Sequence, residues 1–389
     1  MSEGHSPLPP FAAWIGPRHP KMLVVGEAWG EQEAQARQPF VGTSGKELWR
    51  MLGEAIPEAP ELRVEADRML NYGSAWIRHR GEWLEALGIA FTNVLALRPP
   101  GNDLGALCTP KAEAGERAGR WPALIKGRYL GEQYLGEVER LEAEIAEAKP
   151  NMLVLAGNTA CWALLRATNI GSIRGTTTLV ETGHKALPTY HPAGVLRQWA
   201  WRPIVVADLM KAWREAQSPQ LVRPKRQVLV NPTIEECETW TEECLTLAAT
   251  SPGAIPLLSC DIETGAGQIK CVGFARSRSD AIVIPFVDQS KLGYSYWQQD
   301  GEELRAWECV SRLLASGIPK VFQNGLYDLQ YLLRMGLRPR RVVEDTMLLH
   351  HSLHPELQKG LGFLGSIYTN EASWKLMRRE RPDSEKRDE

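Results

Sequence analysis

"VVGEAWGEQEAQARQPFVG", Val24 to Gly42, is the stretch whose reading decides the fold. It starts as a buried, β-branched strand and runs straight into a loop bracketed by glycines. In an open α/β sheet, ligands bind beyond the carboxyl ends of the strands, where such a loop lies. Glycines at that place often cradle phosphate. This loop, however, carries Glu27, Glu31 and Glu33 and closes on Pro39-Phe40, an unfavourable lining for an anion.

Outward from that strand, residues 21 to about 215 alternate strand-like and helix-like segments. "KMLVVGE", "GIAFTNVLAL", "NMLVLAG" and "ALPTY" read as strands. "SGKELWRMLGEAI", "EVERLEAEIAEAKP" and "NTACWALLRAT" carry helical spacing, the second with Val138, Leu141 and Ile145 on its apolar face and Pro150 at its end. The alternation predicts an α/β/α sandwich around a parallel four-stranded sheet. Residues 58–90 and 104–135 read as long insertions.

"EAQSPQLVRPKRQVLVNPT" breaks the pattern with prolines, glutamines and basic residues, and is read as a linker over 217–230 between domains 1–216 and 231–389. The second domain opens on a helix at Thr233, which has capping-box spacing to Glu236. "IPLLSCDIET", "IKCVGFARS" and "DAIVIPF" then read as an antiparallel meander, followed by helix, strand and helix. A charged tail, "RRERPDSEKRDE", ends the chain. No internal repeat is found.

Composition agrees with two soluble domains. A chain of 389 residues exceeds what one core supports, and 43% hydrophobic with 24% charged residues is ordinary for a globular protein. The formal charge of −2 means that a nucleic-acid partner would have to meet a local basic surface. The clusters Arg223–Arg226 and Arg338–Arg341 read more simply as solvated loop charges. The seven cysteines form no C-x-x-C pair and sit in apolar surroundings, as free thiols of a reducing compartment do. No apolar run has membrane-spanning length and the start lacks a leader pattern, so a cytoplasmic protein with no membrane partner is expected.

Glu27, Asn93, Asn102 and His191 all fall at predicted strand ends. Each has an ordinary structural reading alone, as a cap, a turn or a loop anchor. In a parallel sheet, though, the carboxyl ends share one edge, so the four could converge on one crevice.

Four segments carry a resemblance. "GEAWGEQEAQARQPFVGTSG", "TNVLALRPPGN", "PNMLVLAGNTACWALL" and "LPTYHPAGVL" resemble, in order, motifs of the family-four-type uracil-DNA glycosylases. The resemblance implies that fold, DNA containing uracil as partner, and a nucleotide flipped into a pocket. It implies that Phe40 stacks on the base, that Asn93 donates to uracil O4 and accepts from N3–H, and that His191 stabilises charge on O2. Glu27 would face the sugar C1′, with Glu33 supporting it, Gly26 giving close backbone approach and Asn102 contacting pocket or DNA backbone.

Departures from the pattern are informative. Trp29 stands for the family's proline and Ala34 for its aspartate. The family's iron–sulfur cluster needs four cysteines, but Ala96 occupies one ligand position, no cysteine pair precedes Lys21, and Cys108 alone lies near a ligand-like place. No cluster and no other glycosylase cofactor is therefore expected, and Trp76, Trp83 and Trp121 are expected to hold the insertions by apolar packing. No basic, His-containing insertion follows Asn102, so covalent trapping is not expected.

In the second domain, "SCDIETGAGQIKCVGFA" puts Asp261 and Glu263 on one face of a strand, a spacing that invites Mg²⁺ or Mn²⁺. "FQNGLYDLQYLL" adds Asn324 and Asp328. With "EDTMLLHHSLHPELQKGLGFLGSIYTNEASWK" these resemble the DEDD 3′–5′ exonuclease domains of phage family A DNA polymerases, over roughly residues 225–380. The resemblance implies a ribonuclease H-like mixed sheet with Asp261, Glu263 and Asp328 as metal ligands. The family's fourth carboxylate, in a later Y-x-x-x-D motif, is missing: Ala372 stands at that spacing after Tyr368. Metal should therefore bind weakly and hydrolysis be poor. The domain is expected either to be cut from a longer polymerase or to be kept to grip DNA.

These readings combine into a DNA glycosylase that hydrolyses the N-glycosidic bond of uracil, or a related pyrimidine, beside an exonuclease-like domain of a phage replication polymerase. Two other readings remain open: a non-cleaving uracil sensor of a polymerase, and a nuclease whose first domain only docks DNA.

Overall fold

A computed structural model describes residues 5–57, 75–115 and 117–371, with the backbone alone at 75–79, 117 and 292. Its contacts divide the chain into two units. One runs to Val222 and resumes at Gly365; the other runs from Arg223 to Leu364.

The first unit contains β1 (Met22–Ala28), α1 (Glu31–Ala36), α2 (Thr43–Ala55), α3 (Ala75–Leu87), β2 (Ile89–Leu95), α4 (Leu135–Ala148), β3 (Met152–Ala156), α5 (Asn158–Leu165), β4 (Thr178–Leu179), β5 (Lys185–Thr189), α6 (Pro192–Arg197) and α7 (Arg202–Glu215). The sheet order is β2-β1-β3-β5-β4. The first four are parallel, and β4 joins β5 as a short antiparallel edge that the sequence reading lacked. Strand β1 is apolar on both faces because both are covered. Met22 and Val24 join a core with Trp49, Leu52 and Leu209 of α2 and α7, whereas Leu23 and Val25 join one with Leu141, Ile145 and Trp162 of α4 and α5. This is the α/β/α sandwich.

The insertion after Asn102 adds a two-residue antiparallel pair, Cys108–Thr109 with Tyr129–Leu130. Within it Trp121 is buried against Trp162 (centroids 4.8 Å apart), with the Arg166 guanidinium over its ring. Trp83 packs half-buried on the first core. Of the expected insertion at residues 58–90, Ala75–Leu87 form α3, whereas residues 58–74 and the Trp76 side chain lie outside the described residues.

The second unit comprises β6 (Gln227–Leu229), α8 (Ile234–Thr250), β7 (Leu258–Gly265), β8 (Gln268–Ala275), β9 (Asp280–Pro285), α9 (Glu302–Ala315), β10 (Lys320–Phe322), α10 (Gly325–Arg334), β11 (Val342–Asp345) and α11 (Thr346–Leu353). Its order is β11-β10-β7-β8-β9-β6. Strands β7, β8 and β9 form the antiparallel meander, and β10 and β11 add in parallel beside β7. This is the ribonuclease H-like mixed sheet. The capping box forms, with Glu236 N donating to Thr233 Oγ1 and Thr233 N to Glu236 Oε2.

Two boundaries differ from the sequence reading. Gln227–Leu229, placed in the linker, pair with Asp280–Ile282 as an edge strand. Residues from Gly365 are counted with the first unit, where Lys211 Nζ donates to the carbonyls of Ser366 (2.5 Å) and Thr369 (2.6 Å). Proline and charge patterns mark where a chain can be irregular, but such long-range pairing lies beyond local pattern.

Candidate active site

Parallel register decides which side chains meet. Gly26 lies opposite Asn93 across β1 and β2, and Ala156 opposite Thr189 across β3 and β5. The strand ends thus share one edge, and a pocket of about 300 Å³ opens there. Glu27, Glu33, Phe40, Asn93, Asn102 and His191 all line it, together with Trp29, Ser44 and Arg197. The six expected side chains that carry chemistry are therefore brought together.

Gly26, also expected at the site, is not among the lining residues but packs directly against two of them. A Cβ there would lie 2.1 Å from Asn93 Oδ1 and 2.6 Å from Phe40 Cζ. Phe40 itself is held at φ 54°, a left-handed backbone unusual for a bulky residue. Arg80, fully buried on α3, maintains that turn by donating to the carbonyls of Pro39 and Phe40, both at 2.9 Å. The Phe40 ring lies nearly parallel to the His191 imidazole, 25° apart with centroids 6.0 Å apart, and edge-on to Phe91.

The carboxylates divide their work. Glu33 is buried, and its Oε1 accepts from Gly42 N at 2.8 Å, which closes the glycine-bracketed loop. Glu27 is half-buried at the strand end, and its Oε2 accepts from Thr159 Oγ1 at 2.5 Å. Asn93 is 3% exposed, and its amide makes no hydrogen bond to a described residue, so its donor and acceptor remain for a ligand. Asn102 stands at the exposed rim, its Oδ1 accepting from Arg98 Nε at 2.9 Å.

His191 is the N-cap of α6, and its Nδ1 accepts from Ala193 N at 3.2 Å. The ring proton therefore sits on Nε2. Burial holds the pKa below the usual 6.5, against the pull of Glu27 and with the help of Arg197. The result is a neutral imidazole with a free N–H donor. Sequence reading missed Thr159, Ser44 and Arg197. Thr159 and Ser44 lie in the first turns of the helices after Gly157 and Gly42, and Arg197 follows His191 by six residues, but nothing in the local pattern aims Ser44 and Arg197 at a pocket or Thr159 at Glu27.

The family model for the uracil DNA glycosylase superfamily matches residues 13–217, more than half of the chain. The chain belongs to the uracil DNA glycosylase superfamily. A type-4 uracil-DNA glycosylase of Archaeoglobus fulgidus is 28% identical over 209 residues, covering 52% of this chain and 79% of that protein. Among solved structures, Brucella melitensis NrnC is 16% identical, with 38% of this chain and 63% of that one covered and a TM-score of 0.25. Escherichia coli RNase D, an exoribonuclease, is 17% identical, with 42% and 36% covered and a TM-score of 0.27. This chain thus spans less than two thirds of either structure.

Type-4 relatives raise the question of an iron–sulfur cluster, and the donor set here does not fit one. Residues 1–222 contain only Cys108 and Cys161, whereas a cluster takes four thiolates. Both are buried; desolvation pushes the Cys161 thiol up to about 12 and raises that of Cys108 as well. Position 96 is an alanine packed against Trp29 and Ala13.

In the second unit the alternation of β7 holds. Cys260 and Ile262 enter the core, while Asp261 and Glu263 face outward. Asp328, on α10, is buried and its Oδ1 accepts from Ile262 N at 2.9 Å. These carboxylates interact, but no three His, Cys, Asp or Glu side chains among the described residues are grouped to hold a metal. Asp261 lies within electrostatic reach of both Glu263 and Asp328. The Asp345 carboxylate accepts from the backbone N–H groups of Asn324, Gly325 and Met347.

Burial, with Asp261 and Asp345 adding to it, raises the Asp328 carboxyl to about 6. A folded pKa above the unfolded one stabilises at low pH, and that stability is lost as pH rises through about 6. Asp328→Asn, which keeps the acceptor for Ile262 N, should raise stability by about 1–2 kcal/mol near pH 8 and by almost nothing near pH 4. Thermal melts at the two pH values check this; equal shifts at both would contradict it.

Proposed function

We propose that the first unit hydrolyses the N-glycosidic bond of uracil in DNA. The observation that carries this reading is the neutral His191, its Nε2–H free, in one pocket with the free Asn93 amide, the Phe40 ring and Glu27. A flipped uracil stacks on Phe40, accepts at O4 from the Asn93 amide and donates N3–H to its oxygen. As the C1′–N1 bond breaks, its electron pair passes to the base and collects at O2, where His191 Nε2–H stabilises it. Water adds its oxygen to the cationic C1′ and loses a proton to Glu27. The Thr159 hydroxyl fixes the Glu27 carboxylate for that role. The leaving uracil anion then takes a proton from solvent.

In the same reading the second unit is a DNA-gripping relative of proofreading exonucleases with weak Mg²⁺ or Mn²⁺ binding. The pair serves uracil scanning by a phage replication polymerase, in the same or a longer chain, in the host cytoplasm. The alternative, a sensor that binds uracil without cutting, draws on Trp29, which lines the pocket where the family has proline.

The test is incubation with single- and double-stranded oligonucleotides bearing one uracil, followed by alkali cleavage of abasic sites. Uracil-dependent cleavage, reduced about 100-fold or more in Glu27→Gln, is the expected result. Selective binding without abasic product would replace the enzyme with the sensor.

A further inference from the structure

Helix α4 departs from its sequence pattern. Val138, Leu141 and Ile145 enter the core as its spacing predicts, but Glu137, Arg140 and Glu144 are buried too. Arg140 Nε donates to Glu137 Oε2 (3.1 Å) and Nη1 to Glu144 Oε1 (2.6 Å), with all three side chains almost fully shielded from solvent. Three charges taken out of water need a reason, since a buried ion triad is often no more stabilising than apolar packing.

The reason lies in what the triad holds. Strand β2 is the edge of its sheet, and an edge strand leaves carbonyls and N–H groups without strand partners. The Ile15–Phe91 bridge covers the middle of that edge. Beyond it, Arg140 Nη2 donates to the carbonyls of Asn93 (2.6 Å) and Val94 (3.2 Å). Glu137 Oε2 accepts from Ala96 N (2.9 Å), and Glu144 Oε2 accepts from Thr92 Oγ1 (2.9 Å). Thr92, Asn93, Val94 and Ala96 are thus held by side chains of one helix, and the base-reading Asn93 lies within that stretch. The other carboxylate oxygens accept from the N-terminal segment, at Phe11 N and His5 Nε2.

Position 96 is also where the related family would place a cluster cysteine. Here Trp29 packs with Ala13 and Ala96, and Trp29 N donates to Leu97 O at 3.0 Å. Two small side chains make room for the indole, which also lines the pocket.

Resting on the proposed uracil excision, we infer that Arg140, within the Glu137–Arg140–Glu144 triad and beside the Trp29 plug, is a positioning residue that sets Asn93 without a metal cluster. The guanidinium fork spans two successive carbonyls while bonding both glutamates; a lysine ammonium keeps the charge but lacks the planar fork. Arg140→Lys should therefore leave a folded protein with a displaced Asn93 amide. A small misplacement of a substrate-orienting group costs rate far more than affinity.

The experiment uses the full chain. Single-turnover release of uracil from a single-stranded oligonucleotide is measured with wild type and Arg140→Lys, beside thermal melts, iron content and binding to matched uracil and thymine oligonucleotides. Expected are a cooperative melt, a rate about 30- to 100-fold lower, DNA affinity within about threefold and a reduced preference for uracil over thymine. Thr92→Val, which removes one hydroxyl bond from the triad, gives a smaller shift of the same kind should the lysine variant not melt cooperatively.

A folded Arg140→Lys with wild-type rate and base preference would make Arg140 structural only and overturn the inference. Stoichiometric iron with a visible charge-transfer band in the purified wild type would overturn its metal-free part. If wild type releases no uracil, the proposed function fails by itself. The base preference of the two proteins then decides the positioning role, an unchanged preference overturning it.

Discussion

Replacing His191 with alanine is expected to lower uracil excision by about 100- to 1,000-fold at nearly unchanged DNA affinity. That is the range for removing one preorganised donor from a site of developing negative charge. The geometry makes the expectation specific, because His191 has two separable roles. Its Nδ1 accepts from Ala193 N and caps α6, which leaves Nε2–H as the donor this pocket-lining ring can offer. Loss of the cap costs about 1 kcal/mol of stability and would account for a lower melting temperature, but not for a lower rate per folded molecule. Asparagine is itself a good N-cap, so His191→Asn should regain most of the melting temperature while staying slow. Recovery of the rate along with the melting temperature would assign the histidine to capping alone.

The same arrangement sets a pH dependence. Burial keeps the His191 pKa below 6.5 in the folded protein, so the neutral ring is retained above that pH. The stability tied to it is complete above 6.5 and is lost as pH falls through the lowered folded value, since a doubly protonated ring cannot accept from Ala193 N.

Gly26→Ala is the second large expected effect, of about 100-fold or more on excision. The backbone at Gly26 lies outside the left-handed region, so alanine meets no torsional objection there. The obstacle is contact: the new methyl would sit 2.1 Å from Asn93 Oδ1 and 2.6 Å from Phe40 Cζ. Both atoms belong to the proposed base-binding groups, and on that reading neither can yield without spoiling base recognition. The Phe40 ring is enclosed between Phe91 and His191, and its carbonyl is held by Arg80. The Asn93 carbonyl is held by Arg140. Overpacking should cost about 1–3 kcal/mol in a melt, with a much larger loss of uracil-specific binding. A Gly26→Ala protein that binds and cuts uracil DNA within about threefold of wild type would contradict the proposed pocket.

Much of this was legible in the sequence for a definite reason. The polarity of a parallel sheet is shared by all its strands, so placing Glu27, Asn93 and His191 at strand ends already placed them on one edge. Period-two alternation put Asp261 and Glu263 outward on β7, and Thr233 with Glu236 marked the start of α8. Signals of this kind lie within a few residues of the groups they position.

What only the tertiary structure decided lies farther apart along the chain. Helical spacing assigns Glu137, Arg140 and Glu144 to a solvent face, yet packing against an edge strand turns them inward onto residues 92 to 96. Arg80 grips the Pro39-Phe40 turn some forty residues earlier in the chain, and Thr159 meets Glu27 across the sheet. Asp345 is consumed by the backbone N–H groups of Asn324, Gly325 and Met347, contacts that no local pattern announces. Apolar periodicity determined by itself which strands and helices form, because burying apolar surface needs no particular partner. A buried charge or backbone carbonyl needs a specific hydrogen-bonding partner, and only the folded chain brings those partners together.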